Sequence, residues 1–197
     1  MKKNLLTLLL LLPSFYSLAQ VVDFDTAAAI VKEKGVYEQK RVVAVDNLSA
    51  AKLYSRAMEA LSDWTGVEGR SRAGLDYCDK EEGIVTYKGE FYNGYMQAGR
   101  KIQVPYFTDF IMKIRCKDGR AQVTVTIPTM HADLPNGQTK IWTMKEVIEQ
   151  NINASQKEDN SKKKKKTEMH GMTTREIVEF LLDKMEAALK DNVDDDF

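Results

Sequence analysis

The 197-residue sequence is poor in several residue types whose abundance would assign a function class. Two cysteines are too few for a disulfide scaffold, so a packed core must hold the fold. Two histidines, His131 and His170, offer little material for a histidine-based active site or a four-ligand zinc site. Basic and acidic residues number 29 each, and this balance argues against a general nucleic-acid or anionic-membrane binder.

Long apolar runs are also absent, and the short one near the N-terminus has the features of a secretory signal peptide. Lys2 and Lys3 precede the apolar run Leu5–Leu12, which is too short to span a bilayer as a helix. The small residue Ala19 then stands directly before the expected cleavage site. We therefore predict a signal peptide over residues 1–19, cleavage after Ala19 and a periplasmic or otherwise exported product. No later stretch is apolar enough for a transmembrane segment in the mature chain.

Two segments have the periodicity of amphipathic helices. The first opens at Ser49, and its apolar stripe comprises Ala50, Leu53, Tyr54, Ala57, Leu61 and Trp64. The second opens at Thr173, which with Glu176 makes a capping box, and runs to about Lys190. Its apolar side comprises Ile177, Phe180, Leu181, Met185, Ala188 and Leu189. Thr143 and Glu146 make a similar box before a shorter helix.

Strand patterns fill the region between the two helices, and the clearest is a hairpin around Asp118-Gly119. This dipeptide favours a two-residue type I′ turn. Such a turn predicts four apolar pairs on one face, namely Cys116 with Ala121, Ile114 with Val123, Met112 with Val125 and Phe110 with Ile127. The alternate pairs, such as Arg115 with Gln122, are polar, so turn chemistry and face pattern agree on the register.

These elements predict an α+β domain with a single antiparallel sheet of about five strands, in the order β-α-β-β-β-β-α, and helices on one face. Residues 20–130 form the core domain. Residues 131–171 are an irregular insertion that contains a lysine-rich linker, residues 172–190 a helix that completes the core, and residues 191–197 an acidic tail.

The motifs in this order resemble a family of exported envelope proteins that is common in Bacteroidetes. The family is a domain of unknown function with a TBP-like fold, and the resemblance extends from about Arg41 to Ile127. It implies fold and compartment, because the family has no established activity. The insertion Gln138–Met169 departs from the family pattern. The residues that carry the resemblance are Val42–Val45, Leu53–Ala57, Trp64, Asp79–Ile84 with Lys88 and Gly89, and Lys117–Arg120.

Aromatic residues are concentrated in the third strand and the loop that follows it. They either seal the sheet and pack in the core, as strand aromatics do, or form a recognition surface, where tyrosine is enriched. The candidate binding residues are Tyr87, Phe91, Tyr92, Tyr95 and Tyr106.

No motif indicates catalysis, a metal or a cofactor. His131 and Asp133 could be half of a metal site that His170 joins, but the spacing of a structural zinc site is missing. Several carboxylates cluster around one predicted hairpin, where soluble turn residues are the ordinary explanation. They are Asp76, Asp79, Glu81, Glu82 and Glu90.

Three function hypotheses follow. The first is a non-enzymatic exported domain that binds a protein or envelope component. The alternative is a carrier of a small apolar ligand, with a pocket between the sheet and the last helix lined by Phe110, Met112 and Met185. A hydrolase is the third, and it would need His131 or an acidic pair in a concave site.

Cys78 and Cys116 are predicted not to form a disulfide. Cys116 falls on the core face of its strand, whereas Cys78 has the opposite parity to the more apolar residues Leu75 and Tyr77. The two thiols should therefore face opposite sides of the sheet.

Overall fold

The structure is a computed structural model that describes residues 33–64, 74–97, 102–149 and 173–191. The predicted signal peptide and the lysine run lie outside these ranges. The main helices and strands of the described residues are β1 Tyr37–Ala44, α1 Ala50–Trp64, β2 Gly74–Asp79, β3 Ile84–Gln97, β4 Gln103–Lys117, β5 Arg120–Ile127, β6 Thr129–Asp133, β7 Thr139–Thr143 and α2 Thr174–Lys190. A short helical segment over residues 144–149 follows β7, and Thr143 and Glu146 form the predicted box at its start.

All seven strands belong to one antiparallel sheet in which β4 is the central strand. One edge of β4 pairs with β3, and the other pairs first with β6 and then with β5. The predicted α+β architecture with a single antiparallel sheet is confirmed, but the prediction of about five strands missed β6 and β7. Both strands lie within or beside residues 131–171. The sequence analysis predicted that this range is irregular.

Strict alternation along β4 separates the two faces of the sheet. Its even-numbered residues from Val104 to Cys116 are buried, and its odd-numbered residues are half-buried or exposed. The helices cover the even-numbered side: the ring of Trp64 in α1 packs edge-on against Tyr87, and Phe180 in α2 packs against Phe91. We call the opposite side of the sheet the outer face. No helix among the described residues is long and apolar enough to cross a membrane.

The hairpin of β4 and β5 has the predicted register. Met112 pairs with Val125 and Cys116 with Ala121. The fourth predicted pair, Phe110 with Ile127, is not in the ladder, because the register shifts by one residue where β5 gives way to β6 at Pro128.

The predicted type I′ geometry of the turn is wrong. A type I′ turn needs positive φ at both central residues, whereas here Gly119 (φ 73°) has it and Asp118 does not. The physical reason is a tertiary contact with the start of α1. Asp118 Oδ1 accepts a hydrogen bond from the backbone N–H of Ala50 at 2.8 Å, and the N–H of Gly119 donates to Leu48 at 2.8 Å.

Helix α2 begins with the predicted capping box, in which Thr173 and Glu176 accept each other's backbone N–H groups. Its buried face is wider than predicted, because Val178 and Leu182 are fully buried. Phe180, assigned to the core from its spacing, lies at the rim with 45% of its surface exposed.

An ionic contact fixes α2 against the edge strand β1. Arg41 projects from the helix-covered side of β1 towards three carboxylates one helical turn apart. Its guanidinium nitrogens lie 2.7 Å from Glu179, 2.6 Å from Asp183 and 3.0 Å from Glu186. Gln39 Nε2 also donates to Glu179 at 2.7 Å. These contacts set the position of α2 along the strand.

Both cysteines are free, as predicted, but the reason given for it was wrong. A β-bulge between Leu75 and Tyr77 reverses the parity of β2, so that Cys78 lies opposite the buried Val85. Its Sγ is 3.8 Å from Met58 Sδ in α1. The thiols are kept apart because β3 lies between β2 and β4, and two strand spacings of about 4.8 Å exceed the reach of a disulfide.

Replacing Gly119 with Val should lower the free energy of unfolding by about 1 kcal/mol or more, because a β-branched residue resists positive φ. A Cβ at Gly119 would meet nothing within 4 Å, so the substitution tests backbone conformation without a clash. Gly74→Val is the matched control, since its Cβ also meets nothing but its φ is not positive. Urea unfolding would contradict the expectation if the two variants lost equal stability.

Replacing Arg41 with Met should lower the free energy of unfolding by on the order of 1–2 kcal/mol, because three carboxylates then face one another without a cation. Lys40→Met is the control: its ion pair with Glu38 is exposed, and its loss should cost less than about 0.5 kcal/mol. Urea unfolding at low and high salt should show the difference shrinking as salt screens the charges. Equal losses at low salt would show that Arg41 does not fix α2.

The ionic contact between Arg41 and α2 also makes the stability of the fold depend on pH. The hydrogen bond from Lys190, and then the one from Arg41, hold the pKa of Glu186 below its ordinary value of 4.5. A lowered folded-state pKa stabilises the fold fully above the unfolded value, and this contribution is lost as the pH falls below about 4.5. The Arg41→Met variant should therefore lose less stability on acidification than the parent.

Candidate functional site

The outer face of the sheet carries a row of side chains that crosses four strands. Tyr92 of β3 pairs with Phe107 of β4, Phe107 pairs with His131 of β6, and His131 pairs with Ile141 of β7. Directly paired residues point to the same face, so the four side chains form one continuous row. The ring centroids are 5.6 Å apart for Tyr92 and Phe107, and 5.0 Å apart for Phe107 and His131.

A charged cluster lies one pleat away, where Glu90 of β3 pairs with Asp109 of β4. His131 reaches both carboxylates, with Nε2 3.2 Å from Glu90 Oε2 and Nδ1 3.1 Å from Asp109 Oδ1. The side chains of His131 and Glu90 are only 9% and 11% exposed, whereas that of Asp109 is 31% exposed. We call these three residues the acid–imidazole cluster. One ligand atom from each lies within 4.8 Å of the others, which is a spacing that could hold a metal ion.

Neighbouring groups fix the orientation of the cluster. Thr129 Oγ1 donates a hydrogen bond to Asp109 Oδ2 at 2.5 Å, which leaves Oδ1 directed at the imidazole. The ring of Phe107 stacks on that of His131 with an interplanar angle of 17°. Asp109 therefore contacts the edge of the imidazole, and Phe107 contacts its face.

Solved structures are similar to this chain in fold. A TBP-like protein from Parabacteroides distasonis aligns with a TM-score of 0.51 and 13% identity, over 80% of this chain and 94% of that one. The fold is TBP-like. A DUF4468 family protein from Bacteroides ovatus aligns with a TM-score of 0.43 and 13% identity, over 78% of this chain and 80% of that one. No family model and no curated protein matches the sequence.

The likeness to the Parabacteroides distasonis protein confirms the TBP-like part of the resemblance seen in the sequence. Both solved proteins come from Bacteroidetes, and at 13% identity the likeness shows the fold alone. Export and membership of an envelope family stay predictions. The candidate site of this TBP-like domain is therefore defined by its own side chains.

The candidate binding residues of the sequence analysis divide between the two faces. Tyr87 is 1% exposed and packs between Trp64 and Phe110 on the helix-covered side. Tyr106 is also buried: its hydroxyl accepts a hydrogen bond from Asn93 Nδ2 at 3.1 Å and lies 3.4 Å from Met130 Sδ. Burial raises the pKa of both phenols. Both are core residues, so their assignment as binding residues is corrected.

Tyr92 and Tyr95 are the candidates that reach solvent, with 41% and 52% of their surface exposed. A register shift between them brings their rings into an edge-on contact with centroids 5.8 Å apart. Phe91 is half-buried on the helix-covered side against Phe180. With Phe107, the two tyrosines form what we call the aromatic patch, although Phe107 was not among the binding residues predicted from the sequence.

Sequence reasoning missed the acid–imidazole cluster because its members were assigned to different regions. Glu90 was grouped with turn carboxylates, of which Asp76 instead pairs with Lys88 at 2.7 Å. Asp133, one of the two partners considered for His131, instead accepts a hydrogen bond from Thr139 at 2.9 Å. The other, His170, lies outside the described residues. The available signal was the alternation of Met130 and Ala132 with polar residues after Pro128, which is typical of a strand.

The pocket predicted between the sheet and the last helix is filled by side chains. Met112 and Met185 are fully buried and Phe110 is 6% exposed. A cavity of about 390 Å³ lies instead beside the hairpin turn. Its lining comprises Val42, Glu82, Arg115, Cys116, Lys117, Arg120 and Gln122.

Proposed function

We propose that this chain is exported and acts as a non-enzymatic binding module that holds a protein partner on the outer face of its sheet. The observation that carries the proposal is the aromatic patch. Tyr92 and Tyr95 are half-exposed, yet each ring has an aromatic neighbour within 6 Å. Tyrosine side chains held in this way lose little conformational freedom on binding, which favours affinity.

The side chains around the patch indicate which kind of partner it would suit. Ile141, at the far end of the cross-strand row, is 62% exposed and extends the apolar surface. Asp133, two residues after His131 on the same strand, presents an exposed carboxylate on the same face. The surface therefore suits a protein segment with an apolar side chain beside a basic one, which tyrosine and carboxylate groups can accept together.

Export rests on the N-terminal sequence, with its two lysines, short apolar run and small residues before Gln20. An envelope protein is the partner class that this compartment offers. The alternative of an apolar-ligand carrier gains no support, because the space predicted for the ligand holds packed core side chains.

The export half of the proposal predicts a mature N-terminus at Gln20. The chain expressed in a Bacteroidetes host should appear in the envelope fraction, and N-terminal sequencing should begin at Gln20. Leu9→Arg places a charge in the apolar run and should leave the uncleaved precursor in the cytoplasm. A Lys52→Arg variant, changed within α1, should be processed like the parent. An intact Met1 in the envelope fraction would refute cleavage.

The binding half predicts that a partner contacts the aromatic patch. A photo-crosslinking amino acid at Tyr95 should yield one discrete crosslinked protein in living cells, whereas the same probe at Tyr77 should not. Tyr77 is the matched control because it is also 52% exposed but lies on β2, away from the patch. When the crosslinking is repeated in envelope extracts, excess purified parent protein should compete for the crosslink, and the double variant Tyr92→Ser, Tyr95→Ser should not.

Three other results of these experiments would contradict or change the proposed binding surface. Equal crosslinking at Tyr77 and Tyr95 would show that the patch is not the binding surface. A crosslink to a second copy of this chain would replace the envelope partner by self-association. Loss of competition together with a lower melting temperature in the double variant would mean that the tyrosines stabilise the fold.

A further inference from the structure

We propose that the acid–imidazole cluster is a divalent metal site of the zinc class. His131 Nε2 and Glu90 Oε2 are the protein ligands, and Asp109 orients the imidazole. The proposal does not depend on the proposed partner binding. It rests on the geometry of three side chains that come from β3, β4 and β6.

The position of Asp109 favours one tautomer of His131. Asp109 Oδ1 lies 3.1 Å from Nδ1, and Thr129 holds the other oxygen of that carboxylate. Metal-ligating histidines commonly donate their second ring N–H to a carboxylate in this way. Nε2 is then left with a lone pair that faces Glu90.

The gap between Nε2 and Glu90 Oε2 is 3.2 Å, so one cation could bind both atoms. Both side chains are about nine-tenths buried, so water would screen the attraction between that cation and the carboxylate poorly.

A metal ion fits the same gap. With metal–ligand distances of about 2.1 Å, two ligand atoms 3.2 Å apart subtend about 100° at the metal, between octahedral and tetrahedral values. An imidazole nitrogen and a carboxylate oxygen are ligands that zinc accepts. Two protein ligands leave coordination positions for water or for a donor from another molecule.

The test is zinc titration of the tag-free, EDTA-treated protein by calorimetry, with cobalt(II) absorption as a second readout. We expect one zinc ion per chain and weaker binding by at least about 10-fold in Glu90→Gln and in His131→Gln. Asp109→Ala should lose about 10–100-fold. Asp109→Asn should lose less, because its amide oxygen still accepts the Nδ1 proton.

Two control variants should bind zinc like the parent. Asp133→Asn removes a carboxylate on the same strand that is bonded to Thr139 rather than to the cluster. Cys78→Ser removes the exposed thiol, which contacts Met58 on the helix-covered side and is an alternative zinc ligand. Cobalt bound at the proposed site should show no thiolate charge-transfer band.

Imidazole ¹⁵N shifts of the parent protein keep the proposal testable if His131→Gln fails to fold. Zinc should shift the Nε2 resonance of His131, with His170→Gln used to assign the second histidine. Absence of binding at millimolar zinc to the folded protein, or unchanged affinity in Glu90→Gln, would overturn the proposal. In that case the cluster is a structural contact between three strands.

Discussion

Burial of one face of the sheet is the constraint on which the rest of the structure depends. The even-numbered side chains of β4 are covered by α1 and α2, and paired strands place their apolar residues on the same side. A single sheet with one apolar face is unstable in water until helices cover it. Polar and aromatic side chains of the sheet that the helices do not cover therefore lie on the outer face, which carries the candidate site.

The helices are positioned by specific polar contacts as well as by apolar burial. Arg41 holds α2 through carboxylates on successive helical turns, and Asp118 of the hairpin turn accepts the first free N–H of α1. Apolar packing is non-directional, so such contacts are what select one position of a helix along a strand. The hairpin turn therefore serves both the sheet and the helix, which explains why it departs from the geometry of an isolated hairpin.

The outer face has two chemically different parts. The aromatic patch presents exposed rings that are already ordered, which suits recognition of another protein. The acid–imidazole cluster beside it is largely buried, and its geometry suits a small cation better than a large partner. Phe107 belongs to the patch and also stacks on His131, so any change in the imidazole orientation would be felt by the rings of Tyr92 and Phe107.

The sequence by itself determined the local structure: two amphipathic helices, the capping box at Thr173 and the Asp118-Gly119 hairpin register. Each of these depends on residues close together in the chain or on the period of apolar side chains. The tertiary structure alone decided which side chains meet. Glu90, Asp109 and His131 come from three strands, and they converge because β4 pairs with both β3 and β6 and the register shifts at Pro128. A one-residue difference in either register would turn one member to the other face, and no local pattern contains that information.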